Sequence, residues 1–322
     1  MEQAYGQALN GEPIKLPLKS DSFLYWSEQL KKYAESPLLL RESEYWRELE
    51  EGGVIPLPRD AHSGRGDFST LSTVQFELTE HETEQLLKEA GRAYHTEIND
   101  LLLTALGLAM KQWAGMEKVC VNLESHGREQ ISEALDISRT VGWFTSQYPI
   151  VLAMTAGDDL SRQIKLTKEQ LRNVPNKGIG YELMKYMTPE HVKPDLRFDL
   201  EPEICFNYLG QIDGDVSNDV FSASSYDNGS PVSSKAENSY PWNIGGVVED
   251  GRLSMKCQYN SLEFTEVTME RFMDAYRAQL SSVIAHCVGH EDAELTPSDI
   301  SSKGMTIDDM EDIFDLLEEK LS

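Results

Sequence analysis

The 322-residue chain carries 29 Lys and Arg against 55 Asp and Glu, a formal net charge of −26 with a pI near 4.6. A surface this acidic repels phosphate backbones and anionic bilayers, so neither nucleic acid nor a membrane is an expected partner. Hydrophobic residues make up 40% and aromatics 9%, enough for the core of one large domain or two moderate ones.

In chain order, residues 1–12 read as the tail of a helix ending near Gly11. They show no basic start followed by an apolar run, so no signal peptide is expected. Phe23–Tyr33 and Leu38–Glu50 have helical apolar spacing and hold Trp26 and Trp46, with Pro37 between them. Gly52–Gly66, with Pro56 and Pro58, reads as a loop. Ser72–Leu78 alternates Val74, Phe76 and Leu78 as a strand does. Thr79 with Glu82 forms a capping box that opens a helix over Glu80–Tyr94. Asn99 is the expected cap of a helix over Asp100–Trp113, apolar on nearly all sides and so expected to be buried. Its longest apolar stretch, Leu101–Met110, is about half of the ~20 residues a bilayer span requires.

Lys118–Leu123 and residues 147–153 read as strands, Gly157–Val174 as a helix stopped by Pro175, and Glu203–Leu209 as a strand. Asp213–Tyr240 is serine-rich and acidic and reads as a long loop. Trp242–Glu249 and Arg252–Tyr259 flank Asp250-Gly251, a strong hairpin signal. Val267–His286 reads as an amphipathic helix. Residues 291–322 hold eleven acids and two lysines. There Thr306, with Asp309 at the reciprocal position, opens a short helix striped by Ile307, Met310, Ile313, Phe314, Leu317 and Leu321. Interleaved helices and strands predict an α/β fold with a mixed sheet. Cys120, Cys205, Cys257 and Cys287 lie far apart without a CxxC pair, which predicts buried free thiols in a reducing cytoplasm rather than zinc or disulfides.

The chemistry-bearing segment is LESHGRE, Leu123–Glu129. On the strand before it, Val119, Val121 and Leu123 face one way and Cys120, Asn122 and Glu124 the other. Glu124 therefore projects from a strand end, where sites on α/β sheets form. Read on spacing alone, it serves equally as an exposed glutamate or as a salt-bridge partner of Arg128. His126 is a candidate base, or a residue that bonds its own loop and positions a neighbour. Arg128 is expected to pair with an acid, and Glu129 to be its partner or solvated. Tyr208, in FNYLGQ (Phe206–Gln211), shares a strand face with Ile204 and Phe206. It is either a half-buried core tyrosine or a hydroxyl that supports a developing enolate. PNKGIGY (Pro175–Tyr181) follows a helix and lacks a third glycine, which excludes a dinucleotide site.

These segments, together with YGQALNGEPIKLP (Tyr5–Pro17), SFLYWSEQLKKYAES (Ser22–Ser36), NDLLLTALGLAM (Asn99–Met110) and RTVGWFTSQYPIVL (Arg139–Leu152), occur in one order. In that order they resemble the epimerization domains of nonribosomal peptide synthetases, relatives of the condensation domains. Ser125 stands where that family usually has glycine, and so does Glu182 in many members. A condensation domain carries a proline-bearing segment in place of LESHGRE. The family's HHxxxDG motif is absent from this sequence.

The resemblance implies a chloramphenicol-acetyltransferase-like fold of two lobes. Residues 1–68 would be the end of the N-terminal lobe, 69–290 the C-terminal lobe, and 291–322 an acidic tail with a docking-type helix. It also implies inversion at Cα of an aminoacyl or peptidyl thioester carried on the phosphopantetheine of a carrier domain, with no cofactor bound by this domain. Glu124 and the absent histidine would be the proton-moving pair, with Tyr208 in support. The isolated chain is then expected to be inactive. Expected partners are a peptidyl carrier domain, the N-terminal lobe, and the condensation domain of the next synthetase subunit. Met310, Phe314 and Leu317 of the C-terminal helix would insert into a groove of that last partner. The alternatives are a catalytically incomplete docking module and a condensation-type acyltransferase.

Overall fold

Six segments with a two-residue hydrophobic period form one mixed sheet in the computed structural model, which describes residues 2–62, 64, 66–155, 157, 159–212, 226, 229–300, 305–310, 312, 313 and 316. The strands are β1 (Leu71–Glu77), β2 (Lys118–Ser125), β3 (Ser146–Ala153), β4 (Ile204–Gln211), β5 (Trp242–Glu249) and β6 (Arg252–Asn260), in the order β1-β6-β5-β4-β2-β3. β4 runs parallel to β2 and β5, and every other neighbouring pair is antiparallel. β3 is an edge, which is why Pro149 is tolerated within it. The β5–β6 hairpin turns through Asp250 and Gly251, both at positive φ (49° and 73°), as the two-residue loop requires.

Register puts Val74, Met255, Cys257, Ile244, Phe206 and Leu123 on one sheet face, and all are buried. Helices α6 (Ile98–Ala114) and α9 (Glu266–Gly289) pack together over that face. At its centre Trp242 meets Phe272 at 4.6 Å, Phe264 at 5.3 Å and Trp113 at 5.4 Å between ring centroids. Burying such side chains is the main stabilising term, about 1.5–3 kcal/mol for each large apolar one. The opposite face carries Thr73, Gln75, Ser254, Lys256, Gln258, Asn243, Cys205, Asn207, Asn122 and Glu124, and much of it stays open.

Around this sheet lie α1 (Glu2–Leu9), α2 (Phe23–Ala34), α3 (Pro37–Leu40), α4 (Ser43–Glu51), α5 (Glu80–Lys88), α7 (Leu160–Arg172) and α8 (Ile179–Glu182). Several helix bounds differ from expectation. The helix expected over 38–50 is split into α3 and α4 at Arg41-Glu42. The helix opened by the Thr79–Glu82 capping box ends at Lys88 and continues as a 3-10 turn, Ala90–Arg92. Helix α6 begins earlier than Asn99: Glu97 is its N-cap, and its N–H donates to Asp100 Oδ2 at 2.7 Å. Asp100 is buried because the Arg172 guanidinium donates to both its oxygens, at 3.1 and 2.8 Å. Trp26, Leu39 and Trp46 join the same hydrophobic core as the sheet, so residues 1–68 include helices packed onto the rest of the chain. All four cysteines are buried free thiols. No helix among the described residues is long and apolar enough to cross a membrane.

Candidate active site

Glu124 sits near the end of β2 on the open sheet face. Its Oε1 accepts from Gln147 Nε2 at 2.8 Å and its Oε2 from Asn207 Nδ2 at 2.6 Å. The Cys205 thiol lies 3.8 Å from Oε1, and burial pushes that thiol up to about 12, so it stays protonated. Gln147 is directly opposite Glu124 in the β2–β3 register, and Asn207 is on β4, the other neighbour of β2. The carboxylate faces a cavity of about 600 Å³ floored by β1, β6, β5 and β4, with Gln75, Asn243, Lys256 and Gln258 in its lining. A carboxylate held at both oxygens and open to a cavity of this size can accept a proton from a bound carbon acid and return it.

The loop after β2 is held by its own groups. Gly127 has φ +63°, and a Cβ there would lie 1.5 Å from Phe144 O, so only glycine fits. His126 Nδ1 accepts from the Arg128 N–H at 2.9 Å while the ring stays largely exposed, 3.5 Å from Glu129 Oε1. Arg128 donates to Ile137 O at 2.6 Å and Thr140 O at 2.8 Å and lies 3.8 Å above the Phe144 ring. Its expected acidic partner is thus replaced by two carbonyls and an aromatic face. Glu129 is buried rather than solvated and accepts from Ser125 Oγ at 3.4 Å. The RTVGWFT loop exposes Val141 and Trp143 almost completely. Phe144 packs on Phe23 and Trp26 of α2, at 5.2 and 5.8 Å.

Tyr208 is not brought to Glu124. It pairs with Gly246 and packs on the core side of β4, where burial raises its hydroxyl. Its neighbours Asn207 and Leu209 face the cavity instead. PNKGIGY has a packing role: Asn176, Lys177 and Gly178 all take positive φ, and a Cβ on Gly178 would meet the Tyr148 ring at 2.1 Å. In the tail, Thr306 and Asp309 cap each other as expected. Ile307 and Met310, however, are buried, and Asp308 pairs with Arg162 of α7 at 2.6 Å. Met310 is therefore covered by its own chain rather than free for a partner groove. Phe314, Leu317 and Leu321 lie outside the described residues. Among the described residues no group of three His, Cys, Asp or Glu side chains is placed to hold a metal ion.

The condensation-domain family profile matches residues 1–306. The chain belongs to the condensation-domain family. It is 48% identical over 328 residues to Gramicidin S synthase 1 of Brevibacillus brevis, covering 99% of this chain and 30% of that protein. It is 46% identical to Surfactin synthase subunit 1 of Bacillus subtilis (strain 168), covering 97% of this chain and 9% of that protein. Among solved structures it superposes on the epimerization domain from the third module of tyrocidine synthetase B with TM-score 0.84 and 46% identity. That match covers 90% of this chain and 65% of the other. The chain thus spans under a third of the two synthetases and about two thirds of the solved domain.

In this condensation-family chain, the carboxylate singled out by sequence and the cavity coincide. Asn207, Gln147 and Cys205 were not singled out as site residues. Alternation places Cys205 and Asn207 opposite Phe206, so half of that signal was present. The missing half was the β2–β4 and β2–β3 pairing, which no local pattern encodes.

Proposed function

We propose that this chain is part of a nonribosomal peptide synthetase epimerization domain. It interconverts L and D configuration at Cα of an aminoacyl or peptidyl thioester tethered to a carrier protein's phosphopantetheine. The observation that carries the reading is the Glu124 carboxylate, fixed at both oxygens by amide donors and open to the cavity. The likeness to a solved epimerization domain supports it.

In this reading the Cα–H bond breaks as a base takes the proton, and its electron pair moves onto the thioester carbonyl as an enolate. A second group on the opposite face returns a proton to Cα. Glu124 is one of the two groups, and the other is the histidine of an HHxxxDG motif in the first lobe. Residues 1–68 are the end of that lobe, 69–290 the second lobe, and 291–322 a tail for subunit docking. The chain binds no cofactor for this chemistry, since the thioester itself acidifies the proton. His126 supports the loop through Arg128 rather than moving the proton, and Tyr208 backs β4 from the core. Carrier domain, first lobe and the next subunit's condensation domain are the partners, in the cytoplasm. Ile307 and Met310 are buried, while among the described residues of the tail Leu295, Ile300, Ile313 and Leu316 are exposed.

The test is chiral analysis of the amino acid released after incubating an L-aminoacyl carrier with this chain and a first lobe bearing HHxxxDG. An L/D mixture reached from either starting configuration is expected. Peptide-bond formation with a second aminoacyl carrier, and no inversion, would replace the reading with condensation-type acyl transfer.

A further inference from the structure

A primary amide beside a carboxylate can present either its NH2 or its oxygen, and only one of these holds the anion. At Gln147 the choice is made by neighbours. Asn122 Nδ2 donates to the Tyr240 hydroxyl at 2.6 Å, and that hydroxyl donates to Gln147 Oε1 at 3.2 Å. Asn122 Nδ2 also lies 3.3 Å from Gln147 Oε1. The amide oxygen is thus occupied by donors, and the NH2 end must face Glu124 Oε1, 2.8 Å away. Asn122 is buried, so this orientation does not compete with bulk water. Burial pushes the Tyr240 hydroxyl up to about 12, which keeps it a donor at neutral pH. The backbone is fixed as well, because the Gln147 N–H donates to Glu182 Oε2 at 3.2 Å.

We propose that Gln147, oriented by Tyr240 and Asn122, is a positioning residue that aims the Glu124 carboxylate at the cavity. The inference rests on the reading of Glu124 as a proton-moving group. With Asn207 on the second oxygen, it fixes the plane of the carboxylate; Oε1 also meets the Cys205 thiol, so a lone pair of Oε2 is left for the substrate proton.

The experiment has one arm on the chain alone and one with the first lobe supplied. In the chain alone, nuclear magnetic resonance follows the Gln147 side-chain amide. Two resolved, slowly exchanging protons are expected, and Tyr240→Phe should speed their exchange about tenfold. Exchange unchanged by Tyr240→Phe overturns the inference. With the first lobe supplied, Cα deuterium uptake is measured for Tyr240→Phe, Gln147→Met and Gln147→Glu. The first two should lower kcat about tenfold and leave KM for the carrier within about twofold, which an unfolded or merely weakened variant would not do.

Gln147→Glu sets a second carboxylate against Glu124, with Cys205, Tyr240 and Glu182 as the other titratable groups facing the position. Like charges there favour sharing one proton, and the protonated side chain donates as the amide does. Its kcat loss should therefore be larger near pH 8 than near pH 6. Wild-type kcat in Tyr240→Phe and Gln147→Met, with Glu124→Gln inactive, overturns the positioning role alone. Full activity in Glu124→Gln overturns the underlying reading instead.

Discussion

The two faces of the central sheet are built from alternate residues of the same strands, and they differ in what they demand of a side chain. On the core face, Phe206, Leu123 and Met255 are buried under α6 and α9 without any polar partner. On the other face, Asn207, Glu124 and Lys256, each one residue along the same strands, border the cavity. A one-residue step therefore changes a side chain's task from filling volume to holding a charge. Asn207 and Tyr208 show the sharpest form of this contrast, since only the first touches Glu124.

The largest effect expected from breaking the contrast is on the core face. Phe206→Ala leaves a cavity beneath β4 and should lower stability by about 3–5 kcal/mol, read from denaturant unfolding. Asn207→Ala should lose less, at most about 1.5–3 kcal/mol, in the same measurement. It removes a hydrogen bond to a carboxylate worth about 1.5–3 kcal/mol, so Cα proton exchange should fall about 10- to 100-fold. A loss of stability in Asn207→Ala as large as that in Phe206→Ala would erase the distinction between the faces.

Away from the sheet, Glu42 is a carboxylate without such an arrangement. Burial pushes it up to about 7, only partly offset by nearby donors such as the Tyr33 hydroxyl at 3.5 Å. The ordinary value for such a carboxyl is 4.5, so the folded state binds the extra proton between these two values. Stability from this group is complete below the lower value and is lost as pH rises through the upper one. Glu42→Gln should raise Tm near pH 8 by a few degrees and leave it unchanged near pH 4. An equal gain at both pH values would remove the titration as its cause. The smallest effect is expected at Tyr208→Phe, within about 0.5 kcal/mol in stability and about twofold in exchange rate, because among the described residues no hydrogen bond to its hydroxyl joins it to the site. A loss comparable to that of Asn207→Ala would return Tyr208 to the chemistry.

The sheet was legible because its strands carry clean alternation, and Glu124 was legible because that alternation throws it off the core at a strand end. The same rule already set Tyr208 with Ile204 and Phe206, so its placement away from Glu124 follows from local pattern. What local pattern lacked was pairing. Gln147 lies over twenty positions from Glu124 and Asn207 over eighty, and only the β3-β2-β4 order brings them to its two oxygens. The breaks after Leu40 and Lys88 do not show in the apolar spacing, which continues through both. Arg128 was expected to seek an acid, yet two carbonyls of the loop it closes lay nearer.

The most direct measurement is deuterium uptake from solvent at Cα of an L-aminoacyl thioester on its carrier, with the first lobe supplied, comparing wild type with Glu124→Gln at equal carrier binding. The account predicts uptake in wild type and a loss of about 10²–10⁴-fold in the variant, the range for removing a positioned acid or base. Equal uptake in the two proteins would contradict it and would leave the open face of the sheet as a binding surface alone.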